Sequence, residues 1–220
     1  MTSLATVVSP ALDGLAAERA VSASLDVGRA VGPVELNATL FGSEVREPLM
    51  VRATGSGTLE LFNAASAVRT YGTDLLGRLH REPFHVTATY TYTRSTEPDP
   101  ESGTRRAVPL TPRHAAGLVG MWEAEGEGRV GVEVYHTGRQ ALDDNPYRET
   151  SRPYVILGFL VERRFGRARV FLNAENLLDA RQTRFDPLLL PARTPEGRWT
   201  TDAWAPLDGR TFNAGVRLDL

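Results

Sequence analysis

The most constraining feature of this sequence is an alternation of apolar and polar residues with a period of two. Residues 84–93 read Phe-His-Val-Thr-Ala-Thr-Tyr-Thr-Tyr-Thr, so every second residue is apolar and the residues between are His or Thr. Successive side chains of a β-strand point to opposite faces of its sheet, whereas an amphipathic helix needs a period of 3.6 residues. The segment therefore predicts a strand with one apolar and one polar surface.

The same alternation recurs along the chain, and no segment shows a sustained helical period. Most of the segments are longer than a soluble strand of roughly five or six residues, and they suit a tilted membrane crossing of roughly nine to eleven. The third is interrupted between residues 63 and 68, by a bulge or an extra turn. About nine strands are predicted, at residues 20–28, 33–46, 58–79, 84–95, 112–124, 129–137, 152–165, 168–177 and 209–220.

The connections between these strands alternate between short and long. Consecutive antiparallel strands place alternate connections at opposite ends of the sheet, so one end has tight turns and the other has long loops. Transmembrane β-barrels have this arrangement, whereas a Greek-key sandwich has no reason to sort its loops. The sequence therefore predicts an all-β fold, an antiparallel transmembrane β-barrel segment that is open or incomplete. The short connections are residues 28–33, 80–83, 124–128 and the bend around Gly166, and the long ones are 46–57, 96–110, 138–151 and 178–208.

Aromatic residues lie toward the ends of several predicted strands. Barrels place aromatic girdles at the two lipid interfaces, but strands favour aromatic residues in any case. Both interpretations stay open from the sequence. The residues concerned are Phe41, Tyr90, Tyr92, Trp122, Tyr135 and Tyr154.

The composition excludes some functions without separating a soluble protein from a barrel. A chain without cysteine has no disulfide framework, zinc–thiolate site or thiol nucleophile. The net charge is −2 and the arginines form no basic stripe, so nucleic acid is not an expected partner. No apolar run reaches the roughly 20 residues of a membrane helix.

The last predicted strand ends the chain on an apolar residue, with no polar tail after it. Asn213, Gly215, Leu218 and Leu220 form a pattern of a polar residue, a glycine two places later, and two hydrophobic residues spaced by one. This pattern resembles the C-terminal assembly signal of outer-membrane barrels, which usually ends on Phe or Trp. The resemblance implies that the barrel-assembly machinery and outer-membrane lipid are partners, with Leu220 at the periplasmic rim.

Further motifs occur in an order that resembles the C-terminal part of the β-barrel of TonB-dependent outer-membrane receptors. Residues 173–179, Asn-Ala-Glu-Asn-Leu-Leu-Asp, resemble the stretch that closes the penultimate strand, and residues 205–212 resemble the segment after that stretch. Residues 109–114 resemble the start of a strand, and residues 63–72 contain an Asn…Arg-x-x-Gly motif of the family. The resemblance covers roughly residues 10–220.

This resemblance implies the uptake of a scarce solute, such as a ferric siderophore, a cobalamin or an oligosaccharide. In the full-length parent a plug domain and TonB would be partners. We expect residues 1–19 to be a loop at a truncated start and residues 20–220 to form the barrel part, with no plug domain and no signal peptide. Such a chain should not transport alone. Asn173 and Glu175 fall on the inner face, where they line the lumen, contact a plug or form hydrogen bonds within the barrel wall.

Two other function classes stay open. A small autonomous outer-membrane barrel, a porin or adhesin, needs an even strand number and hence a tenth strand within residues 1–20. A soluble β-sandwich binding module would instead pair its apolar faces with each other.

An enzyme is the least supported class, because the sequence contains no nucleophile or acid–base constellation. No cofactor is expected. The four histidines do not pair at metal-ligand spacing, so a metal site is not expected either. The acidic segments at residues 97–101 and 143–145 could bind calcium, but solvated loops explain them equally well.

Overall fold

A computed structural model describes residues 14–53, 59–192 and 198–218. Apart from one turn of 3-10 helix at Gln182–Arg184, the regular structure of the described residues consists of β-strands. No helix in this part of the chain is long and apolar enough to cross a membrane. The strands are β1 (Arg19–Val31), β2 (Val34–Arg46), β3 (Leu49–Ala53), β4 (Leu59–Asn63), β5 (Val68–Arg81), β6 (Phe84–Pro98), β7 (Arg105–Ala107), β8 (His114–Ala124), β9 (Gly128–Thr137), β10 (Tyr154–Phe165), β11 (Ala168–Glu175) and β12 (Thr211–Leu218).

Nine of these strands form one antiparallel path in the order β1-β2-β5-β6-β8-β9-β10-β11-β12. The short strand β7 also pairs with β6, and β3 and β4 form a separate hairpin. The edge strands β1 and β12 do not pair with each other within the described ranges, so the sheet is not closed. The predicted fold class, an antiparallel and open all-β sheet, is confirmed.

The interruption predicted within residues 58–79 is confirmed, as an extra turn between two strands and not as a bulge in one strand. Residue 58 lies outside the described residues, and the rest divides into β4 and β5, with residues 64–67 between them. β4 pairs with β3, so part of the predicted long loop is a hairpin. Asn63 fixes the reversal at this point, because its Nδ2 donates to the carbonyl oxygens of Ala16 at 2.9 Å and Glu47 at 2.7 Å.

The other strand ends differ from the prediction by a few residues. β1 continues through Gly28 to Val31, which leaves only Gly32 and Pro33 as the connection to β2. Gly32 has a φ of +56°, a conformation that glycine adopts without steric cost at a tight hairpin turn. The alternation of short and long connections is confirmed throughout the sheet.

Successive hairpins are staggered by two residues. The first hairpin closes at the pair Val31 and Val34, and Val34 lies opposite Leu79 of β5. The second hairpin closes at Arg81, which is two residues farther along β5 than Leu79. The third and fourth hairpins repeat this increment. A stagger of one residue per strand, with a rise of about 3.3 Å and a strand spacing of about 4.8 Å, tilts the strands by roughly 35°. Transmembrane barrels have this tilt.

The register places the strand residues of the main sheet on two faces. The apolar face contains exposed side chains such as Leu25, which is 61% exposed, and Val216, which is 64% exposed. The polar face contains threonines such as Thr89, asparagines, and charged residues such as Asp26. No described strand contacts any strand other than its ladder partners, so nothing packs on the apolar face as a β-sandwich would require. This face needs an apolar solvent, which a membrane supplies.

Three aromatic rings on the polar face cover glycines directly opposite them on the neighbouring strand. The pairs are Phe41 with Gly72, Tyr135 with Gly117 and Phe171 with Gly215. An aromatic ring over a cross-strand glycine restores the packing that the missing side chain would provide.

The girdle interpretation is therefore wrong for Phe41 and Tyr135, and also for Tyr154, which shares the polar face. Tyr90, Tyr92 and Trp122 do lie on the apolar face. Trp122 is near the short turns, Tyr92 is nearer to the long connection of β6, and Tyr90 is close to the middle of that strand. Trp122 and Tyr92 therefore fit lipid interfaces.

We predict that Gly72→Ala destabilises the sheet by about 1–3 kcal/mol, the usual cost of overpacking. A Cβ atom at this position would collide with the carbonyl oxygen of Tyr92 and the ring of Phe41. Gly120→Ala is the matched control, because a Cβ there meets no heavy atom within 4 Å. Urea unfolding of the chain in detergent micelles measures both variants, and equal midpoints would contradict the packing described here.

Candidate functional site

The buried side chains of this molecule lie in the long connections rather than in the sheet. A single-layer sheet covers neither of its faces, whereas the connections at one end fold against each other. Apart from glycines, prolines and Ala174, the buried residues among those described are Ala64, Gln140, Ser151, Asn176, Gln182, Asp186, Leu190, Trp204 and Ala205.

Gln182 is the centre of the last connection, residues 176–210, and has no exposed surface. Its Nε2 donates to the carbonyl oxygen of Asp202 at 2.9 Å, and its Oε1 accepts from the backbone N–H of Trp204 at 2.8 Å. Its own backbone N–H donates to the carbonyl oxygen of Pro206 at 2.9 Å. One side chain and its backbone thus bind the two halves of this connection together.

The connection at residues 138–153 packs against the last one. Gln140 donates through Nε2 to the carbonyl oxygen of Trp204 at 3.0 Å, and Tyr147 donates through its hydroxyl to the carbonyl oxygen of Leu189 at 3.0 Å. The Arg148 guanidinium lies 5.7 Å from the centre of the Trp204 ring and forms an ion pair with buried Asp186. We call residues 138–153 and 176–210 together the loop unit.

Arg106 of β7 connects a third segment to the loop unit. Its Nε lies 2.8 Å from Glu97, and its Nη1 lies 2.8 Å from Asp143 and 3.5 Å from Asp99. Burial alone would lower the pKa of Arg106, but attraction from Asp143 and Glu97 outweighs it and holds the pKa above its usual value. The pKa of Asp99 is lowered, chiefly because the backbone N–H of Ser102 donates to its carboxylate.

The acidic segments considered for calcium therefore contact arginines. Besides the contacts of Arg106, Asp144 lies 3.1 Å from Arg198. In the part of the chain that the structure describes, no three His, Cys, Asp or Glu residues are grouped to hold a metal ion. His80 and His85 are opposite each other on the polar face, with their Nδ1 atoms hydrogen-bonded at 2.9 Å.

The motif at residues 173–179 has a structural function. Asn176, at a φ of +50°, accepts through Oδ1 from the backbone N–H of Ala180 at 2.8 Å and donates through Nδ2 to the carbonyl oxygen of Asp208 at 3.1 Å. A Cβ atom at Gly209 would lie 2.6 Å from Oδ1 of Asp179. The motif thus holds the start of the last connection against its end, just before β12.

The remaining residues predicted as site residues lie in the last two strands. Asn173 and Glu175 are on the polar face, where Asn173 Nδ2 donates to Glu175 Oε1 at 2.8 Å and Asn173 lies opposite Asn213. Gly215 lies opposite Phe171. Leu218 pairs with Ala168 beside a short turn, on the apolar face, whereas Leu220 lies outside the described residues.

The sequence did not single out the residues that organise the loop unit. Gln140, Arg148 and Gln182 lie in segments without periodicity, so alternation gave no information about them. A usable sign was present, because Trp199 and Trp204 both lie in the predicted loop at residues 178–208. Large apolar side chains in a connection indicate packing, and Trp204 is indeed buried in the loop unit, whereas Trp199 is 56% exposed.

The fold is similar to solved structures of outer-membrane uptake proteins. The ferric yersiniabactin uptake receptor FyuA from Yersinia pestis aligns with a TM-score of 0.68 and 19% identity over 92% of this chain and 30% of its own. The ferric enterobactin receptor PfeA from Pseudomonas aeruginosa gives 0.67 and 18% over 93% and 32%. The copper transporter OprC gives 0.66 and 14% over 96% and 32%. The chain thus spans about a third of the length of these structures.

No curated protein sequence matches the chain. A family model described as TonB dependent receptor-like, beta-barrel matches residues 8–177. That match covers well over half of the chain and confirms the resemblance found in the sequence motifs. The family and the similar structures are receptors and transporters rather than enzymes. This chain therefore belongs to the β-barrel family of the TonB-dependent receptors, which are located in the outer membrane.

Proposed function

We propose that this chain forms the C-terminal barrel wall and the ligand-capturing loops of an outer-membrane receptor for a scarce, metal-bearing solute. The observation that carries the proposal is the loop unit at one end of a sheet whose apolar face is uncovered. A ferric siderophore is the first candidate ligand, ahead of a cobalamin or an oligosaccharide. This ranking of ligands is supported by the similar structures, which are named as a ferric yersiniabactin uptake receptor, a ferric enterobactin receptor and a copper transporter.

The geometry of the loop unit suits capture from solution. Its hydrogen bonds and ion pairs hold the two connections in place before any ligand arrives, so binding does not incur the full cost of ordering them. A cavity of about 520 Å³ lies between the two connections and is lined by charged and apolar residues, among them Arg148, Glu149 and Leu190. Trp199, which is 56% exposed, offers an aromatic surface nearby on the same connection.

Transport needs more than this wall. The division into a loop at residues 1–19 and a barrel part at residues 20–220 stays part of the proposal. Movement of the ligand across the membrane would use a plug domain and TonB in the full-length parent. We infer that the chain alone binds ligand without transporting it, and the open sheet supports this inference.

Tryptophan fluorescence of the detergent-folded chain tests ligand capture. The probes are ferric enterobactin, ferric yersiniabactin and Cu²⁺, and we expect saturable quenching by at least one of them. Trp199→Phe should remove most of this signal, whereas Trp122→Phe, which changes a strand residue far from the loop unit, should keep it.

Gln182→Ala adds a test of the preformed loop unit. It leaves buried backbone groups without partners, which costs about 1–3 kcal/mol and should weaken binding by roughly tenfold. The adjacent exposed Thr183→Ala is the control and should bind as the parent chain does. Absence of saturable quenching with all three probes would exclude the proposed ligand class.

We also propose that Asn213, Gly215, Leu218 and Leu220 form the assembly signal that the barrel-assembly machinery recognises. Leu218 and Val216 are equally exposed on the apolar face of β12, so they form a matched pair. Leu218→Ser should slow insertion into outer-membrane vesicles that contain the machinery more than Val216→Ser does. Equal rates would mean that β12 acts only through its general hydrophobicity.

A further inference from the structure

A group of arginines lies on the apolar side of the sheet, at the end that carries the long connections. By the register, Arg19, Arg46, Arg69 and Arg94 belong to the apolar face, in neighbouring strands β1, β2, β5 and β6. Arg105 of β7 is opposite Pro98 on the same face. We call these five residues the arginine ledge.

Three of the ledge arginines lie at one height above the short turns, with Arg94 two residues lower and Arg105, opposite Pro98, two residues higher. Arg19, Arg46 and Arg69 are each 12 residues from the residue where their hairpin closes, at Val31, Val34 and Arg81. With a rise of about 3.3 Å per residue and a tilt of roughly 35°, this places them about 32 Å above the turns. The apolar band of a transmembrane barrel is about 25 Å tall, so the ledge falls at the lipid headgroups of the outer leaflet.

The ledge presents its cations outward and keeps its anions beneath them. The side chains of Arg19, Arg46 and Arg69 are 77%, 68% and 62% exposed, whereas that of Glu44 is 30% exposed. Glu44 accepts from Nε of Arg46 at 2.8 Å and from Nε of Arg69 at 2.9 Å. This leaves the terminal nitrogens of both guanidinium groups available to a ligand. Glu47, 3.6 Å from Arg19, is the second carboxylate at the ledge.

Arg94 and Arg105 add charge without a carboxylate partner. Arg105 extends across β6 and donates to the carbonyl oxygens of Ala67 and Thr96, each at 3.0 Å. Arg94 has no hydrogen bond or ion pair within the described ranges. The five guanidinium groups and two carboxylates give the ledge a net charge of +3. Two cavities of about 680 and 900 Å³ share Arg69 and Arg105, which gives space for more than one phosphate group.

We propose that the arginine ledge binds the phosphate groups of an anionic lipid in the outer leaflet. The inference rests on the proposed position in the outer membrane, but it concerns the lipid side of the wall and not the captured solute. Guanidinium groups bind phosphate oxygens through paired hydrogen bonds, and headgroup depth removes competing water. Acyl chains of such a lipid would cover the apolar face just below, along Leu25, Leu40 and Leu75.

Titration of the detergent-folded full chain with fluorescent diphosphoryl lipid A tests the proposal. We expect the triple variant R46Q/R69Q/R94Q to bind about 100-fold more weakly, since each arginine near a lipid surface contributes about fivefold. The control R29Q/R81Q/R163Q removes three arginines of the same face near the short turns and should bind as the parent does. Lipid A without phosphates should bind the parent chain weakly.

Several outcomes would contradict the proposal that the arginine ledge binds lipid phosphates. These are equal losses in the two triple variants, equal binding of the lipid without phosphates, or displacement of the lipid by inorganic phosphate at the same phosphate concentration. Circular dichroism verifies the β-structure of each variant. If the triple variant does not fold, R94Q replaces it and should lose about fivefold. Lipid binding tests the ledge, and quenching of tryptophan fluorescence by the metal-bearing probes tests the proposed function. Failure of one proposal can therefore be distinguished from failure of the other.

Discussion

Backbone hydrogen bonds between neighbouring strands are the interaction on which the rest of this structure depends. Each strand contacts only its ladder partners, so the sheet has no second layer to bury its apolar face. In water, that face would remain exposed and the edges of β1 and β12 would be templates for aggregation. In lipid, the apolar face is solvated by acyl chains, and the ladder satisfies the backbone groups that lipid cannot. The membrane therefore completes the fold.

The two ends of the sheet perform different tasks because the connections differ in length. Two- and three-residue turns set the stagger of the hairpins and hence the strand tilt. The long connections have enough chain to fold on themselves, and Gln182 and Arg148 hold them as one unit. Rings over glycines, such as Phe171 over Gly215, make the polar face continuous where side chains are missing. A stiff wall and a preformed loop unit suit the proposed capture of a rare solute.

Alternation predicted the sheet because strand geometry depends on nearest neighbours in sequence. It located the nine main strands, their order and the end with long loops, and the motifs identified the family. The alternation pattern gave no information where side chains form hydrogen bonds with backbone atoms that are distant in the sequence. Asn63 reverses the chain through Ala16 and Glu47, which no local pattern reports. The loop unit depends on contacts such as Gln140 with Trp204, 64 residues apart. Phe41 and Tyr135 were misassigned because face assignment needs register, which a list of aromatic positions lacks.

In a membrane-spanning sheet, adjacent residues of one strand face lipid and an aqueous interior in turn. The chain has no cysteine, so Leu75→Cys and Leu76→Cys each provide one position for a fluorescent label. Leu75 lies opposite Tyr90 on the apolar face, and Leu76 lies opposite Thr89 on the polar face. In lipid vesicles, a label at residue 75 should be quenched by lipid-borne nitroxide and a label at residue 76 by aqueous iodide. Equal quenching of the two labels by both agents, or the reverse pattern, would contradict a membrane-spanning sheet.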